Sequence, residues 1–250
     1  MRTFGLIGYP LSHSFSKKYF TEKFQSLHLE DCAYFPFEIN SVELLPGLID
    51  GNPELLGLNV TRPYKESVLA MMHDIDPVAT ATRSVNTIKI IRGSKEIRLS
   101  GFNTDAYGFE TSITPHLKNR HKKALILGTG ASSRTVAYVL TKMGIDFTFV
   151  SRSGVQPASS YSEINARKMS EYQLVVNTTP VGTWPDSDAF PDLPYDALTP
   201  DHLLFDLVYN PEESLFLKKG KAQGATTLNG FEMLKLQADK SWEIWNTNRY

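Results

Sequence analysis

The chain has 250 residues, a formal net charge of −1 and 41% hydrophobic residues. This length is enough for one large domain or two modest ones, and the near-neutral charge gives no electrostatic case for nucleic acid or an anionic membrane as a partner. The single cysteine, Cys32, excludes an internal disulfide and favours a reducing compartment, so we expect a cytoplasmic protein.

Membrane helices, a signal peptide and a metal site are not expected. No apolar run approaches the ~20 residues that a membrane helix needs, and segment 1–10 lacks the apolar core and cleavage site of a signal peptide. The six histidines show no metal-ligand spacing, so we expect no metal.

Predicted strands and helices alternate along the first half of the chain, which is typical of an α/β architecture. A strand over 3–7 precedes a helix whose buried face carries Phe15, Phe20 and Phe24. Further strands are predicted over 33–39, 56–60, 88–91 and 97–99, and helices over 42–49 and 66–72.

Hydroxyl groups cluster at the entrance of the first predicted helix. The segment S-H-S-F-S includes Ser14 and Ser16. One serine satisfies the need for an N-cap, so the remaining hydroxyls are available to hold a small carboxylate.

Other polar groups lie where predicted strands and helices begin or end. The strand over 56–60 is followed by Thr61 and Lys65 in N-V-T-R-P-Y-K, which suits a site at the carboxyl edge of a sheet. Asn86 precedes the next strand, and Asp105 opens a helix. Taken singly, Lys65 also suits a surface lysine, and Asp105 suits a favourable charge at a helix N-terminus.

A strand–turn–helix pattern follows in K-K-A-L-I-L-G-T-G-A-S-S-R, residues 122–134. Gly128 allows a tight turn after the apolar strand over 124–127, and Gly130 lets a pyrophosphate approach the backbone. The helix over 131–140 then offers free N–H groups and a partial positive charge. The pattern predicts a dinucleotide site at Gly128, Thr129, Gly130, Ala131 and Ser132. The third small position falls on Ser133, where glycine or alanine is more usual.

In combination these motifs carry more weight than each does alone. S-H-S-F-S, N-V-T-R-P-Y-K, V-N-T and N-T-D precede G-T-G-A-S-S-R in this order, and the combination resembles the shikimate dehydrogenase family over nearly the whole chain. The resemblance implies two α/β domains with the active site in the cleft between them. The N-terminal substrate domain would comprise 1–103 with 231–250, and the NADP-binding Rossmann domain 104–230.

The end of the strand predicted over 145–150 indicates which dinucleotide binds. An NAD site needs Asp or Glu there for the ribose 2′-hydroxyl, whereas this chain has Ser151, Arg152 and Ser153. A cation flanked by hydroxyls suits a 2′-phosphate, so we predict NADP as the cofactor. The family often has a second basic residue a few positions later. This chain lacks one there, so we expect a weaker preference over NAD.

Three later motifs extend the resemblance. N-T-T-P-V-G looks like the family's loop beside the cofactor and includes Thr178. D-L-V-Y-N-P implies Leu207 near the nicotinamide and Tyr209 at the substrate carboxylate, and G-x-x-M-L-x-x-Q implies Gly230 at the nicotinamide and Gln237 on the substrate. Strands are predicted over 174–176 and 203–207, a helix over 212–223, and a last helix after Gly230.

The reaction that the resemblance implies is reversible hydride transfer between NADPH and 3-dehydroshikimate, which gives shikimate. The implied substrate contacts are Ser14, Ser16 and Tyr209 for the carboxylate, and Thr61, Asn86 and Gln237 for the hydroxyls. Lys65 would donate the proton or stabilise the developing charge. Asp105 would fix Lys65 and share a substrate hydroxyl.

Three alternatives stay open. A quinate/shikimate dehydrogenase that uses NAD is disfavoured by Arg152, and a methylenetetrahydrofolate dehydrogenase by the S-x-S and N-T-D motifs. A non-catalytic metabolite sensor is disfavoured by Lys65 and Asp105. We expect a small-molecule substrate and a monomer or homodimer. The chain departs from the family at Arg62, where a small apolar residue is common, and at Arg83-Ser84, where Gly-Ala is frequent.

Overall fold

The computed structural model describes residues 1–11, 15–94 and 96–247. The chain divides into two compact units, Met1–Thr104 with Gln237–Tyr250, and Asp105–Leu236. The sequence-based division places the return to the first domain at residue 231, whereas the unit boundary lies six residues later, inside the last helix. The assignment of substrate to one domain and NADP to the other stays a prediction.

The first unit contains a mixed sheet. Its elements are β1 (Arg2–Gly8), α1 (Phe15–Ser26), β2 (Cys32–Glu38), α2 (Leu45–Asp50), β3 (Leu55–Val60), β4 (Asp74–Ile75), α3 (Pro77–Thr82), β5 (Thr87–Arg92) and β6 (Ile97–Phe102). Within the described ranges the sheet has six strands in the order β2-β1-β3-β5-β6-β4. β1 and β3 are parallel with Ile7 opposite Val60, so the turns that follow them lie at one edge.

The second unit contains a parallel sheet. Its elements are α4 (which spans Thr104–Ile113 and begins one residue before the unit), β7 (Lys123–Leu127), α5 (Ala131–Lys142), β8 (Asp146–Ser151), β9 (Ser159–Ser160), α6 (Ala166–Glu171), β10 (Leu174–Asn177), β11 (Leu203–Asp206), α7 (Leu215–Ala222), β12 (Thr226–Leu228) and α8 (Phe231–Asn246), which ends in the first unit. In the part of the chain described, the order is β12-β11-β10-β7-β8-β9, and every pair is parallel.

This strand order confirms the predicted Rossmann-type architecture. The chain runs from β7 to β8 on one side and later returns to β10 on the other, so the strand order reverses beside β7. Dinucleotides bind at the carboxyl ends of the strands at such a switch point. The buried apolar residues of β7, β10 and β11 explain why these strands read as short continuous apolar runs in the sequence.

Several predicted helices differ in length from the observed ones. The helix predicted over 212–223 begins only at Leu215, because the Ser214 hydroxyl accepts from the Leu217 N–H and acts as the N-cap. The helix predicted over 66–72 is a short 3₁₀ turn, Ser67–Met71. The segment 42–49 divides into a 3₁₀ turn and α2, whose first turn contains a proline. None of the helices among the described residues is long and apolar enough to span a membrane.

Candidate active site

The glycine turn after β7 has the geometry of a dinucleotide cradle. Gly128 has a φ of +112°, and an added Cβ would lie 2.8 Å from the Thr178 hydroxyl. Gly130 is the N-cap of α5, and a Cβ there would meet nothing within 4 Å. The Gly130 α-carbon therefore faces open space at the N-terminus of a 12-residue helix. Such a backbone can take a pyrophosphate, which fits the predicted cofactor.

Ser133, the unusual third position of the fingerprint, has a structural partner. Its buried hydroxyl lies 2.7 Å from the Thr178 hydroxyl, which in turn donates to the Leu127 carbonyl at 2.5 Å. The serine therefore ties the start of α5 to the loop after β10. Thr178 lies at the glycine turn, and its hydroxyl is engaged by the protein.

The turn after β8 is shaped by its own hydroxyls. Ser151 Oγ accepts from the Gly154 N–H at 3.2 Å and lies 3.3 Å from Ser153 Oγ. Arg152 is exposed, and its charge opposes the effect of burial, which raises the pKa of the Tyr161 phenol. The guanidinium is thus presented to solvent at the carboxyl end of β8.

The fold places a second cation near this edge, although none follows Arg152 within a few positions in the sequence. Lys168 Nζ donates to Ser159 Oγ at 3.1 Å, and Ser159 is the register partner of Val150 across the β8–β9 pair. Lys168 is also 3.9 Å from Glu163. Its position depends on the pairing of β9, so no local sequence signal could have indicated it.

A buried carboxylate joins the ends of β10 and β11. Asp206, 0% exposed, accepts from Ser214 Oγ at 2.5 Å, Asn177 Nδ2 at 2.9 Å and the Val208 N–H at 3.0 Å. Burial raises the pKa of Asp206 to about 6, against the three hydrogen bonds that lower it. Asp206 therefore fixes the loop over 207–209 and the start of α7.

The two residues predicted at the nicotinamide lie together. A Cβ at Gly230 would lie 2.3 Å from the Leu207 carbonyl oxygen. The Gly230 N–H donates to the Val208 carbonyl at 3.2 Å. This close approach requires a glycine at 230. Tyr209 is half-buried in the same loop.

In the first unit, the turns after β1 and β3 meet the segment before β5. The Thr61 N–H donates to the Ile7 carbonyl at 2.9 Å, and the Tyr9 N–H donates to the Arg62 carbonyl at 3.1 Å. The Lys65 carbonyl accepts from the Val85 N–H at 2.8 Å. Thr61 and Lys65 are both half-buried. The turn that carries Lys65 therefore lies directly beside the V-N-T segment.

Asn86 and Gln237, both predicted to bind substrate hydroxyls, contact each other. Asn86 Nδ2 donates to Thr104 Oγ1 at 2.9 Å and to Gln237 Oε1 at 3.3 Å. Asn86 Oδ1 accepts from the Thr104 N–H at 2.7 Å. Both amide hydrogens of Asn86 are therefore used within the protein, so a ligand that accepts from Asn86 must replace one of these bonds.

The remaining predicted residues, Ser14, Ser16 and Asp105, belong to different segments of the chain. Ser14 lies outside the described residues. Ser16, in the first turn of α1, lies beside the buried Tyr34 phenol, whose pKa burial raises and Ser16 lowers. Asp105 is buried in the first turn of α4 and begins the second unit, whereas Lys65 belongs to the first. The pairing of Lys65 with Asp105 stays a prediction.

Comparison with known proteins gives the family. A family model described as the shikimate dehydrogenase substrate binding domain matches residues 6–88. The shikimate dehydrogenase (NADP(+)) of Carboxydothermus hydrogenoformans is 36% identical over 258 residues, with 96% of this chain and 90% of the relative covered. The chain belongs to the shikimate dehydrogenase family.

Solved structures extend the likeness to both units of this shikimate dehydrogenase family member. A shikimate 5-dehydrogenase from Thermus thermophilus, in complex with NADP(H) and shikimate, is 31% identical with a TM-score of 0.85 and covers 98% of this chain and 94% of that one. The enzyme from Listeria monocytogenes, in complex with shikimate and NAD, is 25% identical with a TM-score of 0.82 and covers 98% and 91%.

Sequence analysis gave no structural role to Asp206, Asn177 and Ser133, whose hydrogen bonds hold loops of the candidate site. Asn177 and Asp206 are register partners at the ends of β10 and β11, so a polar pair at two adjacent parallel strand ends was the available signal. The contact of Ser133 with Thr178 had no such signal, because the two residues are 45 positions apart.

Proposed function

We infer that the chain is an NADP-dependent oxidoreductase that catalyses the reversible reduction of 3-dehydroshikimate to shikimate, a step of aromatic amino acid biosynthesis. The observation that carries this conclusion is family membership over the length of both units, together with the glycine turn at the switch point of the parallel sheet. The enzyme acts on a small molecule. A cytoplasmic location and a monomeric or homodimeric state stay predictions.

The cofactor assignment uses two groups of residues in the second unit. The backbone of Gly128 to Ser132 would hold the pyrophosphate, and Ser151, Arg152 and Ser153 the 2′-phosphate. Leu207 and Gly230 would lie against the nicotinamide, which supplies or accepts the hydride when bound. The open space at Gly130 and the exposure of Arg152 support this assignment.

The substrate assignment uses side chains that can exchange hydrogen bonds with a hydroxylated ring acid. The carboxylate contacts would be Ser14, Ser16 and Tyr209, and the hydroxyl contacts Thr61, Asn86 and Gln237. The contact between Asn86 and Gln237 supports a shared role. Since 3.3 Å is the longest of the three Asn86 bonds given above, a substrate hydroxyl would replace the Gln237 contact with the smallest loss.

Lys65 would supply the proton to the ketone oxygen, or stabilise its charge, as the hydride reaches the carbon. Asp105 would hold the Lys65 ammonium in the productive orientation.

The experiment that tests this function is an assay of the purified full chain. Shikimate and quinate are each combined with NADP and with NAD, and the reduced nicotinamide is followed by absorbance. Oxidation of shikimate with NADP at the highest kcat/KM of the four combinations is the expected result. A faster reaction with quinate and NAD would replace the proposal with the quinate-type alternative.

A further inference from the structure

A cluster of buried hydroxyl and amide groups lies in the first unit beside the predicted substrate residues. Its members are Asn59 on β3, Thr87 on β5, Thr104 at the start of α4 and Ser241 on α8. Asn59 and Thr104 are buried, and Thr87 and Ser241 are 0% exposed. Buried polar groups of this kind raise the free energy of the fold unless each finds a partner, so their arrangement is tightly constrained.

Ser241 is the centre of this cluster. Its hydroxyl donates to the Gln237 carbonyl one helical turn earlier at 2.9 Å and accepts from Asn59 Nδ2, also at 2.9 Å. The same oxygen lies 2.8 Å from Thr87 Oγ1 and 3.2 Å from Thr104 Oγ1. A helical serine commonly bonds only to the carbonyl four residues earlier. Ser241 has three further polar neighbours, and these fix α8 against β3 and β5.

On one side, the cluster contacts the residues predicted to bind the substrate hydroxyls. Thr104 Oγ1 donates to Asn86 Oδ1 at 3.1 Å, and Thr87 Oγ1 lies 3.2 Å from the same oxygen. These contacts direct Asn86 Nδ2 towards Gln237 Oε1. The orientation of both amides therefore depends on hydroxyls that lie behind them.

On the other side, the cluster extends towards Ser16, which is predicted to bind the substrate carboxylate. The Tyr34 phenol donates to Asn59 Oδ1 at 2.8 Å, and the neighbouring Ser16 side chain lowers the pKa of this phenol. Burial raises the pKa of Tyr34, so the phenol keeps its proton and remains a donor. Because Asn59 Oδ1 is then the acceptor, Asn59 Nδ2 must point to Ser241. A continuous set of hydrogen bonds thus joins Tyr34, the neighbour of Ser16, to Asn86 and Gln237.

We propose that Ser241, supported by Thr87, is a positioning residue that sets the spacing of the polar groups that bind the substrate. The proposal rests on the proposed function, because the groups it positions are those assigned to shikimate. Ser241 itself is fully buried and acts through Gln237, Asn86 and Asn59. Fixing these amides before binding lowers the conformational entropy lost on binding and so strengthens substrate affinity.

Ser241→Ala is the principal test, with Ser84→Ala as its matched control. Both changes remove a buried hydroxyl from the first unit, but Ser84 Oγ has no hydrogen-bond partner among the described residues. We expect Ser241→Ala to raise the KM for shikimate about 3- to 10-fold, the range for one buried neutral hydrogen bond. The KM for NADP and kcat should stay within about twofold, because the NADP residues belong to the other unit and the reacting groups are unchanged. Ser84→Ala should leave all three constants unchanged.

Thr87→Val and Thr87→Ser give a second test that does not depend on the folding of Ser241→Ala. Valine keeps the shape of threonine without the hydroxyl, whereas serine keeps the hydroxyl. Thr87→Val should raise the KM for shikimate, and Thr87→Ser should retain the wild-type value. Melting temperatures of all variants identify any general loss of structure.

The outcomes separate this proposal from the proposed function. If the wild type does not oxidise shikimate, the function and the positioning role both fail. If the wild type is active but the KM for shikimate is unchanged in Ser241→Ala and in Thr87→Val, only the positioning role is overturned. Equal increases in the KM for shikimate and the KM for NADP would also overturn it, because they indicate a general structural loss.

Discussion

Asp206 shows how a buried carboxyl makes stability depend on pH. Its pKa of about 6 in the folded protein lies above the ordinary value of 3.8, so the folded state keeps a proton that the unfolded chain has already released. Between about pH 4 and 6 the free energy of unfolding therefore falls as pH rises, by on the order of 3 kcal/mol in total. Below this window both states are protonated, and above it both are ionised, so the contribution is constant.

We predict that Asp206→Asn removes this pH dependence. Asparagine can still accept from Asn177 and the Val208 N–H, and its amide can donate to Ser214. Asp206 also contributes to the raised pKa of the Tyr195 phenol. The Tyr195 phenolate forms only at much higher pH, so this effect does not change stability between pH 5 and pH 7. Denaturant unfolding at pH 5 and pH 7 should show the variant gaining stability relative to wild type as pH rises. Parallel changes in the two proteins would mean that Asp206 ionises normally.

Lys65 is the residue on which catalysis is predicted to depend most. Its side chain can be removed without loss of the backbone bond from Val85 to the Lys65 carbonyl. We predict that Lys65→Ala lowers kcat about 100-fold or more, the usual scale for a lost general acid or base, and weakens shikimate binding far less. Lys18→Ala, an exposed lysine of the same unit, is the control. Near-normal turnover of Lys65→Ala would disprove the assignment.

Arg152 is predicted to distinguish NADP from NAD. A guanidinium contact to a 2′-phosphate contributes on the order of 1.5–3 kcal/mol, which is roughly 10- to 150-fold in affinity. We expect Arg152→Ala to lower kcat/KM for NADP by about 10-fold, the low end of this range, because Arg152 is exposed and solvent and salt screen its contact with the phosphate. The kcat/KM for NAD should hardly change. Arg167→Ala, an exposed arginine of the same unit, serves as the control, and equal losses with both cofactors would make Arg152 structural.

At the scale of helices and strands, two helix C-termini carry residues in the left-handed conformation. His28 and Arg83 have φ values of 53° and 50°. The Leu29 N–H reaches the Phe24 carbonyl, and the Ser84 N–H reaches the Ala79 carbonyl, which are the long bonds of a Schellman motif. Glycine adopts this conformation without strain, whereas His28 and Arg83 carry a β-carbon that does not favour it.

We predict that His28→Gly and Arg83→Gly each raise the free energy of unfolding by about 0.5–1 kcal/mol, because the strain removed exceeds the entropy added to the unfolded chain. His28→Ala, which keeps the β-carbon, is the control and should bring no gain. Urea unfolding measures all three variants. Destabilisation by both glycine changes would show that the histidine and arginine side chains stabilise these termini.

Strands were easier to predict from the sequence than short helices. β7, β10 and β11 are buried on both faces, and their apolar runs placed them within about one residue. The six-residue helices α3 and α6 were missed, because each is too short for a helical apolar period to repeat. Their N-caps, Asp76 and Asn165, were the available signals.

At the scale of the whole molecule, motifs at strand ends predicted the segments of the candidate site, and the structure shows which hydrogen bonds hold these segments in place. The glycine turn and the turn after β8 were found because all their residues are adjacent in sequence. The contacts of Ser241 with Asn59 and Thr87 depend on strand register and on a helix more than 150 residues later. No local pattern encodes such contacts, so the positioning residues could not be derived from the sequence.

The most direct measurement of the central claim is the initial rate of nicotinamide reduction when the wild-type chain is mixed with shikimate and NADP. We predict saturable reduction of NADP, with kcat/KM about 10-fold or more above that with NAD, as one phosphate contact provides. No reduction of either nucleotide by shikimate, from protein with a cooperative unfolding transition, would contradict the account.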